Sequence, residues 1–351
     1  MSRVVLVTGV SRYLGCRLAA HLAADPTIDR VVGVDTTPPS KDDLVLLGRT
    51  EFVRADIRNP LIARVIAHAK VDSVVHASVT ATPRRAGGRT SMKEMNVIGT
   101  MQLLGACQKS ETVRRLVVKS TTSVYGSSPR DPAVFTEDSS GRAVPRSGYG
   151  KDAVEVEGYV RGFSRRRPDI TVTVLRFANF IGPTIDTPLT RYFALPVVPT
   201  EFGYDPRLQF LHEDDGIEVL RLATLDDHPG VFNVAGPGTI LLSQAIRRAG
   251  RVELPVPGPA VRAVGNLVRR TGLVDFSPEQ LRFLTFGRVV DIDRLRTQFP
   301  YTPKYSTAEA FSTFLSGRPI PPILAPDRIR QAEQLVGRAL GAGRSVVAGR
   351  G

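Results

Sequence analysis

The sequence predicts an α/β fold in which a parallel sheet carries helices on both faces. Three observations lead there. Short apolar runs recur through the first half of the chain, at 4–7, 30–35, 51–56, 71–77, 115–120 and 171–177. Stretches with helical spacing separate them, so strands and helices alternate, which predicts parallel pairing and right-handed crossovers. The first run ends in a Gly-containing turn that opens straight into a helix, marked by Leu14, Leu18, Ala19 and Leu22. At 351 residues and 42% hydrophobic content the chain can bury a large core, as one big unit or two lobes.

The first element is the most informative. Val4 to Gly15 reads Val-Val-Leu-Val-Thr-Gly-Val-Ser-Arg-Tyr-Leu-Gly. A run of strand formers buried on both faces looks like this. Thr8 closes the strand. Gly9 permits a sharp turn, and Gly15 lets the helix start pack on the strand. The helix N-terminus, with Arg12, Tyr13 and Leu14 around it, then offers N–H groups to a pyrophosphate. The second run, Arg30 to Asp35, ends on a carboxylate twenty positions after Gly15. Asp35 there accepts hydrogen bonds from a ribose, which favours NAD over NADP.

The next elements follow in order. Thr36 to Lys41 is expected as a Pro-containing loop, and Glu51 to Asp56 as a third strand, with Ile57 and Arg58 at its end. A helix over 61–69 leads to the strand Val71 to Ala77. Ligands on such sheets bind at the strands' carboxyl ends, where Thr8, Asp35, Asp56, His76 and Ala77 lie. Residues 83–91 are rich in Arg, Gly and Ser and are expected as an exposed loop. Met92 to Lys109 is expected as a helix, Arg115 to Ser120 as a strand, and Tyr149 to about Arg166 as a helix after the loop 127–148. The sixth strand is Thr171 to Phe177. In 327–340, Ile329, Ala332, Leu335, Val336 and Ala339 share one helical face. The basic tail 341–351 is expected to be disordered.

Charge and cysteine content narrow the function classes. The net charge is +13, yet Arg is scattered in short clusters, with no aromatic-interleaved basic stripe. Forty Arg against seven Lys fits a GC-rich coding sequence, and nucleic-acid binding is not expected. Cys16 and Cys107 suggest neither a disulfide framework nor a metal site. Cys16 is expected as a small buried residue. No apolar run is long enough to span a bilayer, and no leader precedes Val4, so a cytoplasmic protein without an integral membrane segment is expected.

Several segments, in a fixed order, resemble one family. Thr8, Gly9 and Gly15 fit Thr-Gly-x-x-Gly-x-x-Gly; Asn96 to Thr100 fit Asn-Val-x-Gly-Thr; Ser120 to Gly126 fit Ser-Ser-x-x-x-Val-Tyr-Gly. Tyr149, Gly150 and Lys151 fit Tyr-Gly-Lys, and Leu175 to Asn179 with Gly182 and Pro183 fit Leu-Arg-x-x-Asn-x-x-Gly-Pro. Phe210 to Asp215, Phe232 to Gly236 and Asp293 to Phe311 continue the series. The chain resembles an extended short-chain dehydrogenase/reductase of the NAD-dependent epimerase/dehydratase family, similar to UDP-glucose 4-epimerase, over residues 3–317. The resemblance implies a doubly wound Rossmann lobe over 1–180. It implies a smaller mixed substrate lobe over 181–325, with about 210–236 returning to the first lobe, and a short helix and basic tail over 326–351. It implies a homodimer through helices 92–109 and 149–166. It also implies hydride transfer between NAD and a nucleotide sugar or similar alcohol, with Asn96 near the cofactor and Tyr125, Asn179 and Arg207 near the substrate.

The catalytic set departs from the family. Its chemistry uses a phenol as acid/base, a hydroxyl, and a lysine that lowers the phenol's pKa from about 10. Tyr149 and Thr121 supply the first two. The lysine stands at i+4 in the family, on the same helix face; here that position is Ala153. Lys151 lies on the far side of the helix. Lys119, two residues before Thr121, points to the same strand face and is the candidate substitute. The middle glycine of the first motif is Arg12, and the nucleotide-gripping Arg of the substrate lobe is replaced by Leu208-Gln209, with Arg207 one position early. These departures leave two further readings: a dinucleotide-binding sensor or scaffold without catalysis, and a reductase of a lipid or terpenoid alcohol. His76 and His212 are expected as hydrogen-bonded interior residues more than as bases.

Overall fold

The computed structural model describes residues 3–79, 88–139, 145, 148–258 and 278–318. The expected helix over 327–340 and the tail 341–351 lie outside the described residues.

The central sheet has seven strands: β1 (Val4–Thr8), β2 (Arg30–Asp35), β3 (Glu51–Arg54), β4 (Ser73–His76), β5 (Arg115–Thr121), β6 (Thr171–Phe177) and β11 (Gly230–Val234). Their order is β11-β6-β5-β4-β1-β2-β3, with every pair parallel. The doubly wound fold is therefore observed, with the strand order reversing beside β1. Alternation along β1 shows how each face is filled: Val5 and Val7 enter one core, Val4 and Leu6 the other. Helices α1 (Tyr13–Ala24) and α8 (Glu213–Leu225) cover the first face with Leu18, Leu22, Val219 and Leu220. The second is covered by α3 (Leu61–Ala69), α5 (Gly99–Lys109) and α6 (Gly148–Arg166), through Ile62, Ile66, Leu103, Val156 and Val160.

Three local expectations change. Lys41 begins a helix, α2 (Lys41–Leu47), capped by Ser40 Oγ, which accepts from Asp43 N at 3.1 Å. Leu44, Val45 and Leu46 face water, Val45 with 84% exposure, and Leu47 alone is buried, so no buried stripe announced it. The loop expected over 83–91 is helical from Gly88, in α4 (Gly88–Lys93), and 80–87 lies outside the described residues. A π-helical turn, Glu94–Ile98, joins α4 to α5.

The second lobe is built from small pieces. They include β7 (Asn179–Ile181), α7 (Pro188–Ala194), β8 (Val197–Glu201), β9 (Arg207–Leu208), β10 (Phe210–His212), β12 (Ile240–Leu241), α9 (Leu242–Arg248) and β13 (Val252–Val256). The strands pair two by two as β10-β7, β12-β9 and β13-β8. An aromatic core joins them, with Phe193, Phe210 and Phe311 packed edge-to-face or stacked at 5.0–6.2 Å. Between β10 and β12 the chain returns to the first lobe through α8 and β11. The described residues contain no helix long and apolar enough to cross a membrane.

Candidate active site

The turn after β1 is fixed by its glycines. Gly9 has φ +80°, the left-handed region, and a Cβ there would sit 3.0 Å from Ser78 Cα. At Gly15 a Cβ would lie 2.2 Å from Gly9 O, so only hydrogen fits. Arg12 differs. Its φ of −125° and ψ of 152° are ordinary extended backbone, so the family's middle glycine is not required by conformation. Arg12 occupies the N-cap of α1, and its side chain lines the cleft.

Beside this turn lies a small pocket bounded by Gly9, Arg12, Val34, Asp35, Ile57 and Ser78. Asp35 Oδ2 accepts from Ser11 N at 3.2 Å, and Oδ1 accepts from Thr36 N at 2.7 Å. That fixes the carboxylate at the pocket wall. The main cleft, about 320 Å³, runs from Arg12, Tyr13, Leu14 and Gly15 past Ala77, Lys119 and Thr121 to Tyr149 and Asn179. A side cavity of about 60 Å³ continues from Thr121, Tyr149 and Asn179 to Ser123, Glu279 and Arg288.

Tyr149 and Thr121 line the same cleft, and Gly150 lets α6 sit close to the turn after β5. A Cβ at Gly150 would lie 2.8 Å from Ser123 O. Gly150 N also donates to Glu279 Oε2 at 3.0 Å. Thr121 lines the cleft and also caps the following 3₁₀ turn, accepting from Ser123 N at 3.1 Å. Burial pushes the Tyr149 phenol up, and the carboxylates Asp152 and Glu157 push it further the same way. Lys119 is half-buried in the cleft wall and donates to Val79 O at 2.7 Å. Burial, then the neighbouring Arg12 charge, pulls its ammonium down to about 8. Ala153, where the family has lysine, is buried.

Below the site lies a buried polar network. Glu157 on α6 holds Arg176 on β6 through contacts of 2.6 and 3.0 Å, and accepts from Ser120 Oγ on β5 at 2.5 Å. Arg176 Nη1 donates to Tyr125 Oη at 2.8 Å, and Tyr125 donates to Asn233 Oδ1 on β11 at 2.7 Å. Tyr125, expected at the substrate, therefore belongs to this network, stacked on Phe135 at 4.8 Å. It is not among the cleft-lining side chains.

Other expected site residues also sit elsewhere. Thr8 and His76 are fully enclosed: His76 Nδ1 is 3.1 Å from Thr8 Oγ1, and Nε2 is 2.8 Å from Thr100 Oγ1. Burial pulls the His76 pKa down to about 3, so its ring stays neutral. Asn96 is buried and donates to Asp152 Oδ2 at 3.2 Å, because the π-helical turn faces it to α6 and away from the cleft. Asp56 is engaged by Arg58 at 2.6 Å, leaving its neighbours Ala55 and Ile57 at the small pocket. Arg207 is exposed and donates to Ala133 O at 2.8 Å, drawn there by β9–β12 pairing. His212 is interior, as expected, stacked on Tyr305 at 3.8 Å and accepting from Asp214 N. Cys16 is buried. The structure adds Ser78, Val79, Phe177, Phe180, Ile185 and Gln280 to the walls. The apolar ones read in sequence as ordinary core, and Gln280 is distant in the chain.

A glycine turn, a carboxylate at the end of β2 and a cleft at the strands' carboxyl ends define a dinucleotide-binding α/β protein of the Rossmann class. The family model for the NAD dependent epimerase/dehydratase family matches residues 5–235, and the chain belongs to that family. It is 52% identical over 339 residues to an uncharacterized protein of Mycobacterium tuberculosis strain H37Rv, covering 97% of this chain and 89% of the relative. Among solved structures it resembles dTDP-glucose 4,6-dehydratase from Bacillus anthracis str. Ames in complex with NAD, with TM-score 0.69, 18% identity and coverage of 90% and 96%. It likewise resembles UDP-glucose 4-epimerase from Thermotoga maritima with UDP-glucose, with TM-score 0.67, 19% identity and coverage of 90% and 98%.

Proposed function

We propose that this chain is an NAD-dependent enzyme that transfers a hydride at the alcohol carbon of a nucleotide-linked sugar or similar alcohol, with Tyr149 moving the proton. One observation carries the reading: a single cleft contains the glycine turn, Lys119, Thr121, Tyr149 and Asn179. Family membership and the NAD in the solved relative support the same cofactor. The turn fits it, since Gly15 lines the cleft and α1 presents its N-terminus there. Arg12 would meet the phosphates and Asp35 the adenosine ribose. Bound NAD supplies the hydride acceptor or donor. Tyr149 Oη takes or returns the hydroxyl proton, Thr121 orients that oxygen, and Asn179 holds the substrate beside them. Lys119 lends positive charge to the cleft while it remains protonated, below about pH 8.

Two observations qualify the substrate and the chemistry. Leu208 is core, and Gln209 is tied to Gly236 O at 3.1 Å and Val290 O at 3.2 Å, so neither grips a nucleotide. That favours "similar alcohol", a lipid or terpenoid alcohol included, as strongly as a nucleotide sugar. Tyr149 is buried, with Asp152 and Glu157 opposing its ionisation and alanine at 153, the arrangement expected of the second reading, a dinucleotide-binding sensor or scaffold.

Calorimetry with NAD tests both readings together. Wild type is expected to bind NAD in preference to NADP. Asp35→Ala is expected to weaken NAD about ten- to hundredfold, the effect of losing charge-assisted hydrogen bonds, and to narrow the preference. A wild type that binds no dinucleotide removes enzyme and sensor alike. Mass spectrometry of small molecules carried through purification then separates sugar nucleotides from apolar alcohols.

A further inference from the structure

We infer that the Tyr13 hydroxyl latches the cleft across its rim and so sets how fast the dinucleotide exchanges; this rests on the NAD reading above. A count of protons gives the direction of the latch. Thr184 Oγ1 lies 2.7 Å from Tyr13 Oη and 2.7 Å from Glu213 Oε1. A threonine hydroxyl has one proton to give, and an ionised carboxylate only accepts. Thr184 gives its proton to Glu213, so Tyr13 donates to Thr184.

The receiving side is rigid. Glu213 is buried at the first residue of α8 and also accepts from Thr184 N at 3.2 Å and Ile185 N at 2.6 Å. Gly182 makes room for it, since a Cβ there would lie 2.5 Å from Glu213 Oε2. From behind, Arg318 donates to Pro183 O at 3.2 Å, Thr184 O at 3.3 Å and Ile185 O. Segment 182–187 is thus a strap pinned between Glu213 on α8 and the Arg318 side chain. Its Ile185, Asp186 and Thr187 form one wall of the cleft, and Arg12, Tyr13 and Leu14 form another. The Tyr13 ring is steadied by Arg17, whose guanidinium lies 5.5 Å from its centroid. The Tyr13–Thr184 bond joins the dinucleotide turn to the strap. The bond lies at the rim between these walls and opposes their parting. Phenylalanine at 13 keeps the ring and loses the hydroxyl's contacts with Thr184 and Glu213.

The test is release of NAD from the full-length protein, followed by fluorescence after a chase with excess unlabelled dinucleotide. Tyr13→Phe is expected to raise the release rate about three- to tenfold, the range one hydrogen bond supports. In a Thr184→Ala background the same change is expected to add nothing, since paired groups are not additive. Thr184→Ser is expected to stay near wild type. The melting temperature of the cofactor-free protein is followed in parallel, and Tyr13→Phe is expected to leave it unchanged. An unchanged release rate in Tyr13→Phe overturns the latch and leaves NAD binding standing. So does a fully additive effect in the Thr184→Ala background. A wild type without NAD binding overturns both.

Discussion

At the scale of single residues, the catalytic question is one of charge around Tyr149. A general acid/base contributes about 10²–10⁴-fold, so Tyr149→Phe is expected to cut kcat by that range on an authenticated substrate. The pH profile decides what Lys119 does. If its ammonium serves the phenol, turnover falls as pH rises through about 8, where the amine loses its proton, and Lys119→Met abolishes most activity. If Tyr149 acts unaided, turnover climbs with pH, and Ala153→Lys raises the rate near neutrality. His76 gives a second pH effect. Its folded pKa of about 3 lies below the unfolded 6.5, so the unfolded chain binds a proton first. Its contribution to stability is complete above pH 6.5 and is lost as pH falls from there towards 3. His76→Asn is expected to flatten that part of a denaturant-midpoint-against-pH curve. What the sequence showed at this scale was backbone need: Gly9, Gly15 and Asp35 act through local geometry, and they sit where expected. Tyr125, Asn96 and Arg207 carried family-type residues, but long-range partners decided where they point. Asn233, Asp152 and Ala133 are 108, 56 and 74 positions away.

At the scale of elements, the active site depends on the register between α6 and the sheet. Tyr149 starts that helix, and Glu157 two turns later fastens it to Ser120 and Arg176. The pair is almost fully enclosed, with 8% and 11% side-chain exposure. Breaking one partner leaves the other charge buried, which costs about 3–5 kcal/mol. Glu157→Ala is therefore expected to lower the denaturant midpoint sharply. Glu157→Gln keeps the shape and is expected to lose less stability while still lowering kcat, because Tyr149 is no longer held in register. The principal strands and crossover helices of the first lobe were legible, because a sheet buried on both faces writes itself as apolar runs. Helix α2 was not, since its signals were end signals alone, the Ser40 cap, Asp42 and Asp43 in the first turn and Gly48 at its close. The second lobe's two- to five-residue strands were not legible either, because they carry too few positions to show a period.

At the scale of the molecule, helices α5 and α6 lie side by side on one face, with Met101 on α5 and Tyr159 on α6 exposed by 46% and 40%, and Ile98 in the preceding π-helical turn by 45%. These are the helices on which the proposed homodimer would form. Size-exclusion chromatography with light scattering is expected to give twice the monomer mass at micromolar concentration. Met101→Glu is expected to shift the protein towards monomer. A monomeric wild type would remove this reading.

The path of the chain has one more consequence. The sheet's edge strand, β11, is drawn from residues 230–234, after the chain has already visited the second lobe. Asn233 on that strand closes the network under the site. On a ribosome, where residues emerge in order, six strands can pair while the seventh has not yet been made. The nascent chain then presents β6 as an open parallel edge, the kind of surface that invites chaperones or mispairing. A fragment ending near residue 180, although it contains the whole glycine turn, is therefore expected to emerge as a chaperone client, not as a free-standing nucleotide-binding domain.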